Sequence, residues 1–267
     1  MAIGSTRDRI DESTPTEQFI AWTVERFRHR RLVITTSFGM EGCALIDMYA
    51  AHGAAPTVVY LDTMFLFPET YALRDRMVQR YPLITFVNRG TSLTAPAQEA
   101  VYGPELWRRD PDHCCRIRKV EPMHQALAGA DAWVTAITRS QGNLRRNIPL
   151  VAWDWQYQVL KVCPLVGWDR PRVWRYIREH DVPYNELHER GYPTIGCTHC
   201  TDRVEGASPE HYSRSGRWRE SQKTECGLHG IRQTAEPVPL TSSREPAPSQ
   251  QARGGDNDRG TSSRISR

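Results

Sequence analysis

The feature that most constrains this chain is a rhythm. LVITT (32–36), TVVYLD (57–62), LITFVN (83–88) and AWVTAIT (132–138) are short apolar runs, and longer stretches with helical signals separate them. QVLKVCPL (158–165) contains a fifth candidate. Short, nearly continuous apolar runs suit strands buried on both faces, and strands alternating with helices build a mainly parallel sheet. The expected fold class is therefore α/β, a mainly parallel sheet flanked by helices. CALIDMYAAHG reads as a helix ending near Gly53. FPETYALRDRMVQRY places Pro68 in a first helical turn, and DRPRVWRYIREHDVP (169–183) reads as an amphipathic helix capped by Asp169.

The ends of the chain have a different texture. Residues 1–30 read as a polar lead-in and a helix, with Ser13 or Thr14 as the cap and Phe19, Ile20, Trp22, Val24 and Phe27 as apolar positions. From about Thr234 the composition collapses to Ser, Pro, Gln, Gly, Asp and Arg, so 234–267 is expected to be a disordered tail. No apolar run reaches the ~18 residues a membrane span needs. MAIGSTRDRIDEST does not read as a secretory signal, and a cytoplasmic protein is expected. A net charge of +4 is too mild for a dedicated nucleic-acid binder, yet it suits an enzyme handling a small polyanion if the cations cluster.

Parallel sheets bind ligands beyond the carboxyl ends of their strands. Here those ends carry Ser37–Glu41, Asp62–Met64 and Thr138–Arg145. TTSFGMEG (35–42) follows a strand and opens a helix, so its backbone N–H groups can form an anion site. It lacks the Gly-Lys-Ser/Thr ending of a nucleoside-triphosphate loop and has Gly42 in place of serine or aspartate. A tight strand-to-helix turn without a ligand explains the same residues. Asp62 either reads a nucleoside or caps the next turn.

The chain has seven cysteines, an odd number that argues against a disulfide framework in a cytosolic protein. Cys197 and Cys200 form a C-x-x-C pair in IGCTHCT, while Cys114 and Cys115 are adjacent in DHCCRIRKVEPM. Together they make four thiolates in two pairs. Adjacent cysteines reach a single zinc ion poorly, whereas a four-iron cluster offers them separate irons, so [4Fe–4S] is favoured over zinc. A redox dithiol at 197/200 lacks a thioredoxin-like context. Cys43 and Cys163 sit in apolar stretches and read as core, and Trp107, Trp153, Trp155 and Trp168 read as packing residues. KTECGLHG (223–230) holds Cys226 between Lys223 and His229 among glycines, which suits an activated thiol on a mobile segment. Taken alone, it also fits an incidental exposed cysteine.

These pieces, SFGMEG, LDTMFLFPET, CCRIRKVEP, IGCTHCT, SGRW and KTECGLH, together resemble the iron–sulfur adenylyl-sulfate (APS) reductases of the PAPS/APS reductase family. The resemblance runs from about residue 33 to 229 in the family order. It implies an adenine nucleotide alpha hydrolase-like (PP-loop type) fold with a mobile C-terminal segment at about 218–230, within a reductase domain spanning 31–233. It implies reduction of APS to sulfite and AMP by thioredoxin or a similar dithiol, in sulfate assimilation and cysteine biosynthesis. It also implies a [4Fe–4S] cluster on Cys114, Cys115, Cys197 and Cys200, and an S-sulfocysteine on Cys226. By family position, Lys119, Arg203, Arg214 and Arg217 neutralise the substrate's charge, and His229 orients thiol or substrate. Ser37, Phe38, Gly39, Glu41, Asp62, Thr63 and Arg139 are the remaining substrate contacts so implied. The chain departs from the pattern where Met64 replaces a glycine and where Arg139, with Gln141, is all that survives of an arginine pair. Competing expectations are a PAPS or dual-specificity reductase, a cluster-containing tRNA thiolase and a zinc-binding module. Neither nucleic acid nor membrane is an expected partner, and a homo-oligomer is allowed for.

Overall fold

A computed structural model describes residues 10–229. Its centre is a sheet of six strands. β1 (Leu32–Thr36), β2 (Thr57–Tyr60), β3 (Thr85–Asn88), β4 (Ala132–Thr135) and β6 (Val159–Val162) run parallel, and β5 (Val151–Asp154) is antiparallel to β6. The strand order is β3-β2-β1-β4-β6-β5. From β1 the chain proceeds to β2 on one side, while β4 pairs on the other. The crevice at the carboxyl ends of β1 and β4 is thus a topological switch point, the place where such sheets bind ligands.

Strand alternation divides the core between two faces. Val33, Val59 and Trp133 pack with Met123, Ala126 and Leu127 of α7 (Glu121–Leu127) in one cluster. Ile34, Val58 and Val134, equally buried, point to the other face by the period of two. α2 (Met40–Ala51) packs with β1, with α1 (Thr16–Arg26) and with α8 (Arg170–Glu179). α3 (Pro68–Arg80) begins with Pro68 as expected, and the Asp169 side chain caps α8 by accepting from the Arg172 N–H at 2.9 Å.

Several local expectations change. TVVYLD leaves the sheet after Tyr60 and AWVTAIT after Thr135, because the next residues line the crevice. LITFVN starts pairing only at Thr85, and Leu83 is 80% exposed. β5 has no counterpart in the sequence reading, since its apolar run, VAW, is only three residues long and ends in the buried Asp154. Trp155, at the tip of the β5–β6 hairpin, is 57% exposed rather than packed. Neither Ser13 nor Thr14 caps α1; Pro15 holds the cap position. Ser13 and Thr14 instead bond within a turn to Asp11, at 2.9 and 3.1 Å through backbone donors. Proline disfavours helical geometry in the residue before it, which keeps Thr14 out of the helix.

α1 belongs to the same compact unit as the sheet, and the Trp168 indole donates to its Thr16 hydroxyl at 2.9 Å. The expected tail, 234–267, and Gly230 lie outside the described residues. Among the described residues, no helix is long and apolar enough to cross a membrane.

Candidate active site

The crevice is built first by the turn from β1 into α2. Thr36 ends the strand and its hydroxyl accepts the Phe38 N–H at 2.9 Å. Phe38 takes a left-handed conformation, φ 56°, unusual for a buried aromatic residue and a form of strain that clusters at ligand sites. Gly39 then leads into α2 without a side-chain cap. Ser37, Phe38, Gly39 and Glu41 all line the crevice. Gly42 is required by packing, since a Cβ there would sit 2.6 Å from the Thr36 hydroxyl that holds Phe38. The glycine that departs from the expected loop pattern therefore sets how closely α2 approaches β1. Glu41 is buried and pairs with Arg170 at 3.4 Å.

The loop after β2 divides its roles. Thr63 is buried and lines the crevice, and its hydroxyl lies 3.2 Å from the Cys197 sulfur. Asp62 does not line it. Its carboxylate accepts from the Met64 N–H at 2.7 Å and the Tyr71 hydroxyl at 2.8 Å, the turn-capping alternative. Met64 is left-handed at φ 58° with its side chain 44% exposed, so the bulky residue replacing glycine points away from the site. A left-handed non-glycine residue costs roughly 1–2 kcal/mol, against about 0.5–1 kcal/mol for glycine's extra chain entropy. We expect Met64→Gly to leave activity intact and raise stability by up to about 1 kcal/mol, read from urea unfolding.

The cysteine pairs meet beside the crevice. Cys114 and Cys115 end α6 (Pro111–Cys115), and the chain continues through a π-turn at Arg116–Val120 into α7. Pro122 gives that turn a cause: its ring clashes with the carbonyl four residues back and it lacks an N–H, so a regular helix cannot pass. Cys197 and Cys200 lie in a loop pinned by a bridge between Leu66 and Cys197 and one between Thr201 and Arg217. No disulfide engages any of them. All four line one cavity together with Phe65, Trp107, Arg118, Lys119 and His199. Two buried donors at this place have no acceptor, Arg118 Nη2 and Trp218 Nε1. Among the described residues, no group of three or more His, Cys, Asp or Glu side chains closes on a point that could hold a metal ion. The thiols stand around a space instead.

Lys119 follows from the same π-turn and lines both the crevice and the cysteine cavity. Burial disfavours its charge, but the surrounding thiols Cys197, Cys115 and Cys226 outweigh this and hold the ammonium above its ordinary value. Cys226 lines the crevice and packs against the cluster formed by Cys115, Cys197, Cys200 and Trp218. Burial and the neighbouring Glu225 carboxylate oppose ionisation of its thiol, but Lys119, the Leu228 N–H and Arg217 prevail, and its pKa falls below the ordinary thiol range. Burial pushes Cys43 up to about 12 and Cys163 up to about 11, as fits core residues.

The segment carrying Cys226 is folded into the crevice. Gly227 is left-handed at φ 83°, and its carbonyl accepts from the Gln156 amide at 3.0 Å. Leu228 packs on the cluster containing Met123 and Trp133. His229 lines the crevice and stacks on Trp133, 5.3 Å between centroids with planes 2° apart. Burial, then Lys161, Arg145 and Arg214, hold the His229 imidazole well below its usual pKa, so it is neutral, with Nδ1 lacking a partner.

Of the candidate cations, Arg214 and Arg217 line the crevice. Arg139 and Arg203 do not. Arg139 forks onto the Glu12 carboxylate and donates to the Ile148 carbonyl at 2.9 Å. Arg203 is exposed, its carbonyl accepting from Arg219 at 3.0 Å, because the chain turns away after the bridge at Thr201. Arg145, the last residue of the strand-end stretch 138–145, and Arg170 line the crevice although neither was named as a candidate cation. The arginine-rich run ITRSQGNLRRN after β4 held a signal for Arg145, whereas nothing local marked Arg170.

Comparison with known proteins adds to this geometry. Residues 31–203 match the family described as phosphoadenosine phosphosulfate reductase domain. A Lysinibacillus sphaericus protein named adenosine 5'-phosphosulfate reductase is 42% identical over 212 residues, covering 79% of this chain and 89% of its own. A Gloeobacter violaceus protein named phosphoadenosine 5'-phosphosulfate reductase is 43% identical over 221 residues, covering 82% and 90%. Among solved structures, a Candida auris phosphoadenylyl-sulfate (PAPS) reductase in complex with phosphate aligns with a TM-score of 0.62 at 28% identity, over 72% of this chain and 91% of that one. A Candida glabrata FMN adenylyltransferase shares the fold, with a TM-score of 0.52 at 12% identity over 85% and 75%.

Proposed function

This chain belongs to the phosphoadenosine phosphosulfate reductase family, and from that premise we propose that it reduces APS to sulfite and AMP in sulfate assimilation, using a dithiol protein such as thioredoxin. The observation that carries the reading is the placement of Cys226. Its thiol faces a nucleotide-type crevice at the switch point and shares Lys119 with the cysteine quartet. On this reading the reductase domain is 31–233, its segment 218–230 opens and closes, and the setting is the cytoplasm, where dithiol reductants work.

The nucleotide lies across Ser37–Gly39 and Thr63, with its phosphosulfate toward Lys119 and Arg217. The Cys226 thiolate attacks the sulfate sulfur. The S–O bond to the phosphate breaks, AMP leaves with the bridging oxygen, and the sulfonate stays on Cys226. Lys119 and Arg217 oppose the charge gathering on the leaving phosphate. A dithiol thiolate then attacks the Cys226 sulfur, and the S–SO₃ bond breaks to release sulfite with the electron pair. The second thiol resolves the mixed disulfide, so both electrons come from the dithiol. For that step the segment must swing out. Neutral His229, stacked on Trp133, orients the segment and has Nδ1 available to the substrate.

Cys114, Cys115, Cys197 and Cys200 suit a [4Fe–4S] cluster. Four soft thiols surround one cavity, and Arg118, which lines it, has an unmatched N–H that would serve as an outer donor to such a group. When bound, such a cluster supplies fixed charge beside Lys119 and ties the π-turn to the Cys197–Cys200 loop, with no redox step required of it. APS is favoured over PAPS by charge. A 3'-phosphate adds about −1.5 to −2, while Arg170 is matched by Glu41 and Arg145 by Glu225.

The test is incubation of anaerobically purified enzyme with APS and no reductant, followed by mass spectrometry. We expect AMP release and an increase of about 80 Da on Cys226, the SO₃ of a covalent intermediate. Absence of the adduct, or strong preference for PAPS, overturns the reading.

A further inference from the structure

The segment's most complete electrostatic contact involves the residue next to the reactive thiol. Glu225 Oε1 accepts from Arg145 Nε at 2.9 Å and Oε2 from Arg145 Nη2 at 2.7 Å. Arg214 Nη2 approaches the same carboxylate at 3.5 Å. Arg214 also donates to the Thr224 carbonyl at 2.9 Å and to the Tyr212 hydroxyl at 3.2 Å. The third side of the Arg145 guanidinium donates to Gln141. The side chains of Arg145 and Glu225 are only 8% and 17% exposed, so the pair is held in a water-poor setting with bidentate geometry.

Both arginines are therefore engaged by the chain itself. Among the described residues, the Lys119 ammonium and the terminal nitrogens of Arg217 make no hydrogen bond to protein; Arg217 uses Nε alone, at the Cys200 carbonyl at 2.9 Å. Two cations face the crevice for a ligand, and two hold the segment.

We propose that Glu225 is a positioning residue: clasped between Arg145 and Arg214, its carboxylate seats Cys226 in the crevice, and release of this clasp is what exposes the thiol to the reductant. The clasp joins the rigid end of β4, through the Asn143–Arg145 turn, to the mobile segment, so a displacement at Glu225 passes directly to Cys226. It rests on the proposed reaction only for its catalytic consequence. Seating of the thiol is a property of the protein without nucleotide.

The experiment measures alkylation of Cys226 by iodoacetamide in the anaerobic, full-length holoenzyme without nucleotide, resolved by peptide mass spectrometry. Glu225→Asp keeps the charge and shortens the reach; we expect alkylation roughly 10-fold faster, as for a partly buried ion pair losing its geometry. Arg145→Gln separates position from charge, since losing a cation near the thiol would by itself slow alkylation, whereas an opened clasp speeds it. Combining both substitutions should add little to the faster single variant. Glu220→Gln, which breaks only the surface pair with Arg108, leaves the rate unchanged. In turnover with APS, Glu225→Asp should lower kcat by about 10–100-fold with KM changed by no more than about 2-fold, because a misplaced nucleophile costs rate rather than binding. Unchanged alkylation in Glu225→Asp overturns the proposal, as does slower alkylation in a folded Arg145→Gln. If Arg145→Gln does not fold, Glu225→Asp decides. A wild-type enzyme inert toward APS whose variants follow the alkylation pattern would overturn the reaction and leave the clasp standing.

Discussion

Cys226→Ser should lower turnover by about 10⁴-fold or more, the scale on which enzymes lose activity when a covalent nucleophile is removed. A serine hydroxyl is not ionised near neutral pH and is a weak nucleophile. No other thiol is placed to take over. Cys43 and Cys163 are core thiols pushed up to about 12 and about 11 by burial. The quartet cysteines line a different cavity, with Lys119 between it and the crevice. The variant should still bind the nucleotide, because Ser37–Gly39 after β1, Thr63, Lys119 and Arg217 are unchanged. Single-turnover assays should find no AMP release and no sulfonate adduct, with nucleotide binding within a few-fold of wild type. An AMP burst of normal amplitude from Cys226→Ser would remove Cys226 from the chemistry. Cys43→Ser, at a buried helix position, should retain the adduct.

The parts of the fold legible in the sequence are those whose signal is local. Val33, Ile34, Val58, Val59 and Val134 sit in runs that are apolar at consecutive positions rather than alternate ones, because a central parallel strand is covered on both faces. Ser37–Gly39 was legible as a strand-to-helix turn because it lies between one such run and a helical stretch. β5 was not, because an edge strand answers to its partner β6 more than to its own composition. The π-turn at Arg116–Val120 lay hidden although Pro122 was visible, since proline in a helix gives either a break or a bulge and the tertiary frame selects.

The site divides in the same way. That the two cysteine pairs would meet at one cavity, with Cys226 beside them at the crevice, could be read from the sequence because cysteine is rare and these motifs are specific. Arginines carry no such information: the sequence offers many, and function depends on which anion each one meets. Arg139 meets Glu12 and Arg203 turns to the surface, while Arg145, four residues from Gln141, reaches Glu225 across a long loop closure. Asp62 was ambiguous because a carboxylate at a strand end caps turns as readily as it binds ligands. The geometry of Met64 and Tyr71 places it in the turn.

Lys119→Gln tests the point where the two cavities meet. Lys119 sits in the π-turn between the Cys114–Cys115 pair and the crevice, and its charge favours both the Cys226 thiolate and a bound polyanion. Removing a preorganised cation from a water-poor site costs about 10²–10³-fold in kcat, or roughly 2.7–4 kcal/mol in the barrier. The loss should depend on pH with a defined sign. Lys119 lowers the Cys226 pKa, so the thiolate is populated above that lowered value in wild type. Without the ammonium the pKa rises, the acid limb of kcat/KM moves to higher pH, and part of the deficit recovers as pH increases. The remainder, from the uncompensated leaving phosphate, persists at every pH. Lys119→Arg keeps the charge but spreads it over a planar fork, and should hold the acid limb near wild type while recovering rate only in part. A uniform loss with an unmoved acid limb in Lys119→Gln would confine Lys119 to the leaving group. Full activity in that variant would leave the two cavities without the link that their shared lysine makes.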